Sequence, residues 1–504
     1  VGRRAPAVYD GANLYWRGAA THRVSPQLHR LNREKAVARL RHIAQQKNTS
    51  DEANAQIIYI QGGKDTCRHN TDHEDLFRQE SFFHYLFGVE EPDCCGIIEA
   101  DTCRTTLFVP KLPEAFAVWL GTIPSLDTFK SKYGVDNVMY SDALAEEIKR
   151  LDPKGGIHLL QGTNSDSGAL MQAPETPQVA SAGFKVIEDV LYQALCESRS
   201  SKSADEVELM RYVSRVSSQA HVEVMKACKP GMMEYQLESV FLHHCYFKGG
   251  CRFAPYTAIV GAGEHGAFLH YGHSGAPNSG EIPDSALVLC DMGGEYHGYA
   301  ADITCTFPSS GKFTEEQAIV YNAVLDAHTQ VIAAMKPGVS WLDMHTLAER
   351  VILGGLLKGG FLQGDVEEMM ASNLGAVFMP HGLGHLLGID THDVGGYGYD
   401  YPQRPQRDGA NKLRTARILE EGMVMTVEPG CYFNRYLLTQ AYGKDDLAKF
   451  LNRDKLEANI KLGGVRIEDN VVVTSNGCDS FTQVPRTVED IEAVMAGRLE
   501  WTVK

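Results

Sequence analysis

Short apolar runs alternate with longer amphipathic stretches along the first 195 residues. The runs at 56–60 and 106–109 have the length of buried strands, and the stretches between such runs favour helices. This alternation predicts an α/β domain over residues 1–195. No group of residues within that domain has the pattern of a catalytic site.

A polar stretch at residues 196–203 separates this region from the rest of the chain and predicts a linker. Ser203 is followed three residues later by Glu206, which is the signature of a capping box and predicts the start of a helix. Apolar residues then recur at helical spacing until Pro230 and Gly231 end the pattern.

The remaining residues, 204–504, show no second linker, repeat or low-complexity segment. Glycine-bounded strands are interrupted by amphipathic helices around 314–335 and 342–356. This pattern predicts an α+β catalytic domain that follows a smaller α/β N-terminal domain.

The composition and net charge of the chain argue against nucleic acid and membranes as partners. The chain has 504 residues, of which 43% are hydrophobic and 22% charged, and its net charge is -16. Such an acidic surface repels phosphate backbones and anionic lipid heads, so neither nucleic acid nor a membrane surface is an expected partner. No apolar run is long enough to span a bilayer, and the first thirty residues lack the apolar core of a secretory signal.

The cysteines indicate a compartment. Twelve are scattered along the chain, none in a C-x-x-C pair, and Cys94 and Cys95 are adjacent. This spacing suits neither a zinc site nor a disulfide framework, so buried free thiols are expected. The predicted compartment is therefore reducing, most simply the cytoplasm.

The segment 287–307 is the first with candidate chemistry. An apolar strand ends in Asp291, a glycine-rich turn follows, and a second strand begins near Asp302. Alternation places Asp302, Thr304 and Thr306 on one face of that second strand. A hairpin would bring both carboxylates together, although two aspartates beside a turn are more often turn formers.

The segment 379–396 holds three histidines, His381, His385 and His392, among five glycines. Two histidines four residues apart could bind a metal from one helix face, but the glycines between them disfavour a helix. Glycines instead allow a backbone to pass close to a ligand. The alternative is a loop of surface histidines.

Two glutamates complete the set. Glu428 follows the apolar run 423–427, where Pro429 must end the strand. Glu468 falls in an alternating pattern that places it on the same side as Arg466. Either glutamate alone would be interpreted as an exposed edge residue.

Together these positions predict a metal site. Four carboxylates and one imidazole suit hard or borderline divalent cations, manganese above all. Four negative charges match two divalent ions with room for a bridging hydroxide, an arrangement that activates water and polarises a carbonyl. The five ligands are Asp291, Asp302, His385, Glu428 and Glu468.

The order of these ligands resembles that of the pita-bread metallopeptidases. Four phrases in both predicted domains are similar, more specifically, to the eukaryotic prolidase branch of that family. They are Phe77-Arg-Gln-Glu-Ser-Phe-Phe-His84, Leu269-His-Tyr-Gly-His-Ser-Gly-Ala-Pro-Asn278, Phe378-Met-Pro-His-Gly-Leu-Gly-His385 and Pro485-Arg-Thr-Val-Glu-Asp-Ile-Glu492. The resemblance therefore covers nearly the whole chain and implies a pita-bread catalytic domain.

The resemblance also implies roles for individual residues. Asp291 would hold one metal, Asp302 and Glu468 would bridge both, and His385 and Glu428 would complete the second. His270, His381 and His392 would surround the substrate, with Glu428 as a proton shuttle. The implied substrate contacts are Tyr256, Arg414 for the proline carboxylate, Arg466 beside the metals, and Trp119 reaching into the partner subunit's site in a homodimer.

The implied activity is hydrolysis of Xaa-Pro dipeptides by a hydroxide that bridges two divalent metal ions, most simply Mn²⁺. One alternative is cleavage of longer Xaa-Pro peptides, as in aminopeptidase P. Another is a catalytically silent pita-bread module that only binds peptides, and a third is the metal-free chemistry of creatinase. The presence of all five liganding residues argues against the last two.

Overall fold

The computed structural model describes residues 15–46, 57–174, 183–188, 190–272, 277–398 and 401–503. The chain divides into two compact units, Val1–Glu206 and Val207–Lys504. Each unit is described below by itself.

The described helices and strands are numbered in chain order. The helices are α1 Gln27–Gln46, α2 Ser81–Phe87, α3 Ala117–Leu120, α4 Leu126–Tyr133, α5 Leu144–Leu151, α6 Leu191–Ser200, α7 Ala204–Ala227, α8 Glu234–Gly249, α9 Glu315–Ala334, α10 Trp341–Lys358, α11 Val366–Ala371, α12 Gly375–Phe378, α13 Arg435–Tyr442, α14 Asp445–Ala448, α15 Arg453–Ala458 and α16 Val488–Met495. The strands are β1 Ile57–Gln61, β2 Cys95–Glu99, β3 Thr105–Val109, β4 Asn137–Tyr140, β5 Ile157–His158, β6 Gly162–Thr163, β7 Leu170–Met171, β8 Val186–Ile187, β9 Ile259–Ala262, β10 Leu287–Asp291, β11 Glu295–Tyr296, β12 Tyr299–Ala300, β13 Thr304–Pro308, β14 Val424–Val427, β15 Gly430–Tyr432, β16 Gly464–Arg466, β17 Asp469–Val473 and β18 Cys478–Ser480.

The first unit is built on a six-stranded mixed sheet in the order β4-β3-β2-β1-β5-β8. The central strands β1, β2 and β3 pair antiparallel, and β4, β5 and β8 join in parallel. Ile57, Ile97, Phe108 and Ile148 form part of its buried core. The predicted α/β domain is thereby confirmed, and its two predicted strands correspond to β1 and β3.

The stretch predicted as a polar linker, 196–203, begins inside helix α6. Several of its polar residues are buried, Ser198 among them: the Ser198 hydroxyl donates to the carbonyl of Ala194 at 2.7 Å, and the distant Tyr85 donates to the carbonyl of Ser198. The predicted capping box is present, since the Ser203 backbone N–H donates to Glu206 and the Glu206 N–H to the Ser203 hydroxyl. Helix α7 begins there.

The second unit contains small antiparallel sheets and long helices. Its larger sheets have the orders β13-β10-β9 and β14-β17-β18, and β11-β12 and β15-β16 form two-stranded ladders. The predicted amphipathic helices correspond to α9 and α10, capped by Thr314 and Ser340. This mixture of helices and sheets confirms the α+β expectation.

Within the described ranges, none of the helices combines the length and the apolar character that crossing a bilayer requires. All twelve cysteines are among the described residues, and none of them is in a disulfide.

Candidate metal centre

Asp291 and Asp302 are brought together by strand pairing. Strand β10 ends at Asp291, the β11-β12 hairpin follows, and β13 returns antiparallel with Thr304 opposite Asp291. Asp302 lies two residues before Thr304, and Asn470 accepts a 3.0 Å hydrogen bond from its backbone N–H. Both aspartates are buried, so neither is a solvent-exposed turn former.

The histidine segment is irregular rather than helical at residues 379–392, and its glycines predict the absence of a helix. The backbone N–H of His385 donates to the Thr426 hydroxyl at 3.0 Å, and the His385 carbonyl accepts from the Thr426 N–H. A Cβ at Gly384 would lie 2.1 Å from the Thr426 carbonyl oxygen. Only glycine therefore allows this segment to run alongside β14 and to place His385 at the carboxylates.

Glu428 and Glu468 flank another strand pair. Glu428 directly follows β14, and Glu468 directly precedes β17, whose Asp469 is opposite Val427. Glu468 is thus in a two-residue gap between β16 and β17 rather than within one continuous strand, which corrects the prediction from alternation. The gap lets the Glu468 N–H bond the carbonyl of Thr304 and join the two sheets.

The ligand atoms are close enough to share ions. Asp302, His385 and Glu468 each offer one ligand atom, and these atoms lie within 4.8 Å of one another. His385 Nε2 is 3.4 Å from Asp302 Oδ2 and 3.4 Å from Glu428 Oε1. Its Nδ1 is 3.0 Å from the carbonyl oxygen of Leu386, which leaves Nε2 as the liganding nitrogen.

The charges of the site require a counter-charge. Burial raises the pKa of Asp291 to about 7 although Arg466 opposes the shift, and burial also raises the pKa values of Glu428 and Glu468. Asp302 Oδ1 is buried and has no hydrogen-bond donor among the described residues. Buried carboxylates in such number are stabilised by metal coordination, so these residues fit a pair of divalent cations.

Metal binding is expected to stabilise the fold measurably. After dialysis against a chelator, addition of Mn²⁺ at about 100 times its Kd should raise the free energy of unfolding by about 2.7 kcal/mol, because ions bind the folded chain. Thermal unfolding would measure this as a higher Tm. Sodium chloride at equal ionic strength is the control, and an equal rise with that salt would contradict a specific metal site.

A chain of hydrogen bonds runs from Asp291 to His381. Arg466 Nη2 donates to Asp291 Oδ2 at 2.6 Å, and its Nη1 donates to the Tyr432 hydroxyl at 2.7 Å. His381 Nε2 is 2.9 Å from that hydroxyl, and its Nδ1 is 2.8 Å from the carbonyl of Gly382. Since a carbonyl only accepts, Nδ1 carries the proton and Nε2 accepts from Tyr432. Burial, followed by the charge of Arg466, lowers the pKa of His381 to about 3, so its ring is neutral.

Three further predicted residues lie around this centre. His392 meets His385 edge to face with ring centroids 4.6 Å apart. Although part of His392 is exposed, desolvation and then the charges of His385 and Arg414 lower its pKa. Arg414 likewise opposes the raised pKa of Glu428, which burial causes first. His270 is exposed and lies near enough for its charge to contribute, after larger effects, to the lowered pKa of His381.

The other predicted substrate contacts differ in their surroundings. The Tyr256 hydroxyl donates to Asp291 Oδ1 at 2.8 Å, so this tyrosine belongs to the metal centre. Trp119 belongs to the first unit, where it is 81% exposed. Residues 273–276 of the phrase that begins at Leu269 are outside the described residues.

Sequence reasoning placed Thr304 on the same face as Asp302 without assigning it a contact, and it missed the other residues that hold the ligands in place. Thr304 donates to Glu468 Oε2 at 2.6 Å, and Thr426 donates to Glu428 Oε1 at 3.3 Å. Asn470 and Tyr432 were also not singled out. All four are two or four residues from a predicted ligand, so the two-residue period of strands was the signal that could have found them.

Family comparison agrees with this chemistry. Residues 208–475 match the model of metallopeptidase family M24, and residues 29–157 match the aminopeptidase P N-terminal domain. The first match covers more than half of the 504 residues. The chain therefore belongs to metallopeptidase family M24, and the expectation of a pita-bread metallopeptidase domain after a smaller N-terminal domain is confirmed.

Individual relatives are similar along most of the chain. The Xaa-Pro dipeptidase of Homo sapiens is 50% identical over 483 residues, which are 96% of this chain and 96% of that protein. A probable Xaa-Pro aminopeptidase of Talaromyces marneffei is 37% identical, over 88% of this chain and 92% of that protein. The solved structure of proline aminopeptidase P II from Yersinia pestis has a TM-score of 0.74 at 30% identity and covers 94% of this chain and 100% of its own.

Proposed function

We propose that this protein is an Xaa-Pro dipeptidase that hydrolyses dipeptides with a C-terminal proline, using two divalent metal ions. The observation that carries the proposal is the set of Asp291, Asp302, Glu468 and His385, all buried, beside the partly exposed Glu428, with Arg414 near Glu428 and His392. The dipeptidase relatives, with about half of the residues identical along the chain, support the same substrate class.

The residues proposed to hold the metals are Asp291, Asp302, His385, Glu428 and Glu468. When bound, two divalent cations lower the pKa of a water molecule and polarise the scissile carbonyl. Manganese is the proposed ion because four of the five ligands are carboxylates, which suit hard or borderline cations.

The proposed proton shuttle is Glu428. Its Oε1 accepts from Thr426 at 3.3 Å, and its Oε2 lies 3.9 Å from the protonated Nδ1 of His381. From this position Glu428 takes a proton from the attacking water and delivers it to the leaving proline nitrogen. The imidazoles of His270, His381 and His392 surround the reacting carbonyl, where an N–H stabilises the negative charge that develops on oxygen.

Substrate choice is assigned to Arg414. A proline peptide bond has no N–H, so the site must recognise the ring and the free carboxylate instead. A guanidinium binds a carboxylate through two parallel donors. An arginine that binds the terminal carboxylate also limits length, because a longer peptide has no carboxylate at that place. Tyr256 and Arg466, which bond Asp291, are proposed to shape the metal side of the same pocket.

Peptide length is the test that separates this proposal from aminopeptidase P activity. With Mn²⁺ added, Gly-Pro is expected to be cleaved with a kcat/KM at least about 100-fold above that of a pentapeptide beginning Gly-Pro, because the pentapeptide lacks a carboxylate at Arg414. Release of glycine from each peptide measures the ratio. Efficient release of the first residue from the pentapeptide would establish the aminopeptidase alternative, and the same assay with Co²⁺ and Zn²⁺ tests the choice of metal.

We further propose that the protein is a homodimer. In the first unit, Val118 and Trp119 are 80% and 81% exposed, and Phe116 and Leu120 are also exposed large apolar residues. Such a patch favours contact with another surface. A partner subunit is the proposed occupant, with Trp119 completing that subunit's substrate pocket.

The proposed compartment is the cytoplasm, supported by nine buried cysteines and by the lack of any disulfide among the twelve described ones. The proposed domain assignment remains 1–195 and 204–504, with 196–203 between them. In this assignment the N-terminal domain mediates dimerisation and covers the substrate site.

A further inference from the structure

A buried ion pair lies in the second unit beyond the metal ligands. Arg407 donates to Glu349 through two nitrogens, Nη1 to Oε1 at 3.1 Å and Nη2 to Oε2 at 2.8 Å. Arg407 Nη1 also donates to Asn373 at 2.7 Å. The Glu349 side chain is completely inaccessible to solvent, whereas Arg407 is 35% exposed.

The pocket around Glu349 is shaped for its carboxylate. A Cβ at Gly375 would lie 2.9 Å from Glu349 Oε1, and a Cβ at Gly409 would lie 3.3 Å from the same atom. His345, one turn earlier on α10, places Nε2 3.4 Å from Oε1. Burial alone would raise the pKa of Glu349, but the nearby His345 ring and the hydrogen bonds from Arg407 lower it, so the group stays ionised. A buried charge with this many partners connects segments that would otherwise be independent.

The neighbouring residue on α10 provides a contrast. Arg350 also forms a bidentate pair with Glu367, with hydrogen bonds of 2.8 and 3.1 Å, but the side chains of Arg350 and Glu367 are both exposed. Surface pairs of this kind contribute little to stability. Helix α10 therefore carries one exposed pair and one buried pair at adjacent positions, and of these two the buried pair binds the segment 401–413 through Arg407.

That segment leads directly to Arg414. The Arg407 carbonyl accepts from the Asn411 N–H at 2.8 Å, and a short 3-10 helix, Ala410–Lys412, follows. Leu413 then packs against the histidine segment so closely that a Cβ at Gly382 would lie 2.8 Å from Leu413 Cα. The Arg414 carbonyl oxygen would similarly be 2.1 Å from a Cβ at Gly396. Tyr397 and Arg404 also donate to the carbonyl of Leu413, so the seven-residue path from Arg407 to Arg414 is held at both ends.

We propose that Glu349 and Arg407 are positioning residues that determine dipeptide specificity, because their buried pair fixes the segment that presents Arg414 to the substrate's terminal carboxylate. This inference rests on the proposed function, since it assigns Arg414 the carboxylate contact. Neither residue touches the substrate. Their removal should weaken recognition of the carboxylate and leave the chemistry at the metal centre intact.

The experiment compares Gly-Pro with its amide, glycyl-prolinamide, whose terminal group is neutral. In Arg407→Ala, the ratio of kcat/KM for Gly-Pro to that for the amide should fall about tenfold, since misplacing a binding group by even 1 Å is costly. The loss should appear in the KM for Gly-Pro, with kcat within about twofold of the original enzyme. Arg407→Lys should retain more of the ratio than Arg407→Ala does, because lysine keeps the positive charge but lacks the paired N–H donors of arginine.

A double substitution tests whether the effect passes through Arg414. In an Arg414→Ala background, Arg407→Ala should change the ratio by less than about twofold, because interacting residues are not additive. Glu349→Gln, which keeps the side-chain shape, should lower the ratio in the same direction as Arg407→Ala. Arg350→Ala is the matched control on the same helix and should leave the ratio unchanged.

The outcomes distinguish this inference from the proposed function. An original enzyme that does not prefer Gly-Pro to its amide would contradict the role of Arg414, and with it the proposed function. An undiminished preference in both Arg407→Lys and Glu349→Gln would overturn only the positioning role, and so would full additivity with Arg414→Ala. If Arg407→Ala fails to fold, the lysine and glutamine variants decide the question.

Discussion

Replacing Glu468 by glutamine is expected to lower kcat for Gly-Pro by at least about 10³-fold, because the change removes one proposed ligand of both metals and leaves the shape of the side chain intact. Glu468 is 1% exposed, and its Oε2 accepts from the Thr304 hydroxyl at 2.6 Å. An amide oxygen can keep that hydrogen bond but carries no charge for a cation. The fold should therefore survive while the metal centre is lost.

Thermal unfolding of the same variant gives a second, independent readout. Without metal, the four carboxylates lie close together, and the charges of Asp302, Glu428 and Asp291 raise the pKa of Glu468 further after burial has raised it. Neutralising Glu468 removes part of that repulsion, so the metal-free variant should unfold at a temperature no lower than the metal-free original. Addition of Mn²⁺ should raise the Tm of the original protein and not that of the variant.

The matched control for this substitution is Glu147→Gln. Glu147 is a buried glutamate of the first unit whose partner is Arg150. Its loss should leave kcat within about twofold of the original value, because Glu147 is not a proposed metal ligand and its partner Arg150 is largely exposed. Activity close to the original in Glu468→Gln, with normal stabilisation by metal, would contradict the assignment of Glu468 as a ligand.

The second large effect is expected for Arg414→Ala, which should raise the KM for Gly-Pro about 100-fold with little change in kcat. A paired guanidinium–carboxylate contact supplies about 2–3 kcal/mol of binding free energy, and about 1.4 kcal/mol corresponds to a factor of ten in affinity. The same variant should cleave glycyl-prolinamide about as well as the original enzyme does, because the amide has no charge to bind. Steady-state kinetics with both substrates would measure the two effects separately.

Two further variants make the Arg414 result specific. Arg414→Lys should recover only part of the affinity, because an ammonium group is a point charge without paired donors. Arg435→Ala removes an exposed arginine that faces Glu457 and should have no effect on either substrate. Equal losses for Gly-Pro and for its amide in Arg414→Ala would assign Arg414 a structural role instead of carboxylate recognition.

Strand ends account for much of what could be predicted at the site. Asp291 and Glu428 each end an apolar run that is followed by glycine or proline, and the structure has strands ending at both places. The non-helical path of the histidine segment also followed from its glycines. The interruption before Glu468 did not, because alternation continues from β16 into β17 although the backbone pairing breaks between them.

The linker illustrates the limits of composition. Residues 196–203 are polar, yet Ser198 and Arg199 are buried near the end of α6. The carbonyl of Ser198 is paired inside the protein with the hydroxyl of Tyr85, which is 113 positions away. Such compensation depends on neighbours in space, which a single sequence does not identify.

The sequence by itself determined the residue types of the metal centre, the acidic balance, and the strand and helix periods around each candidate ligand. Only the tertiary structure decided which of those residues meet. Thr304 reaches Glu468 across 164 positions, and Arg407 reaches Glu349 across 58. The physical reason is that a local sequence pattern determines only the face of a helix or strand on which a side chain lies. Strand pairing and packing between distant segments determine the distances between side chains, and therefore whether carboxylates can share an ion or a carboxylate can hold an arginine.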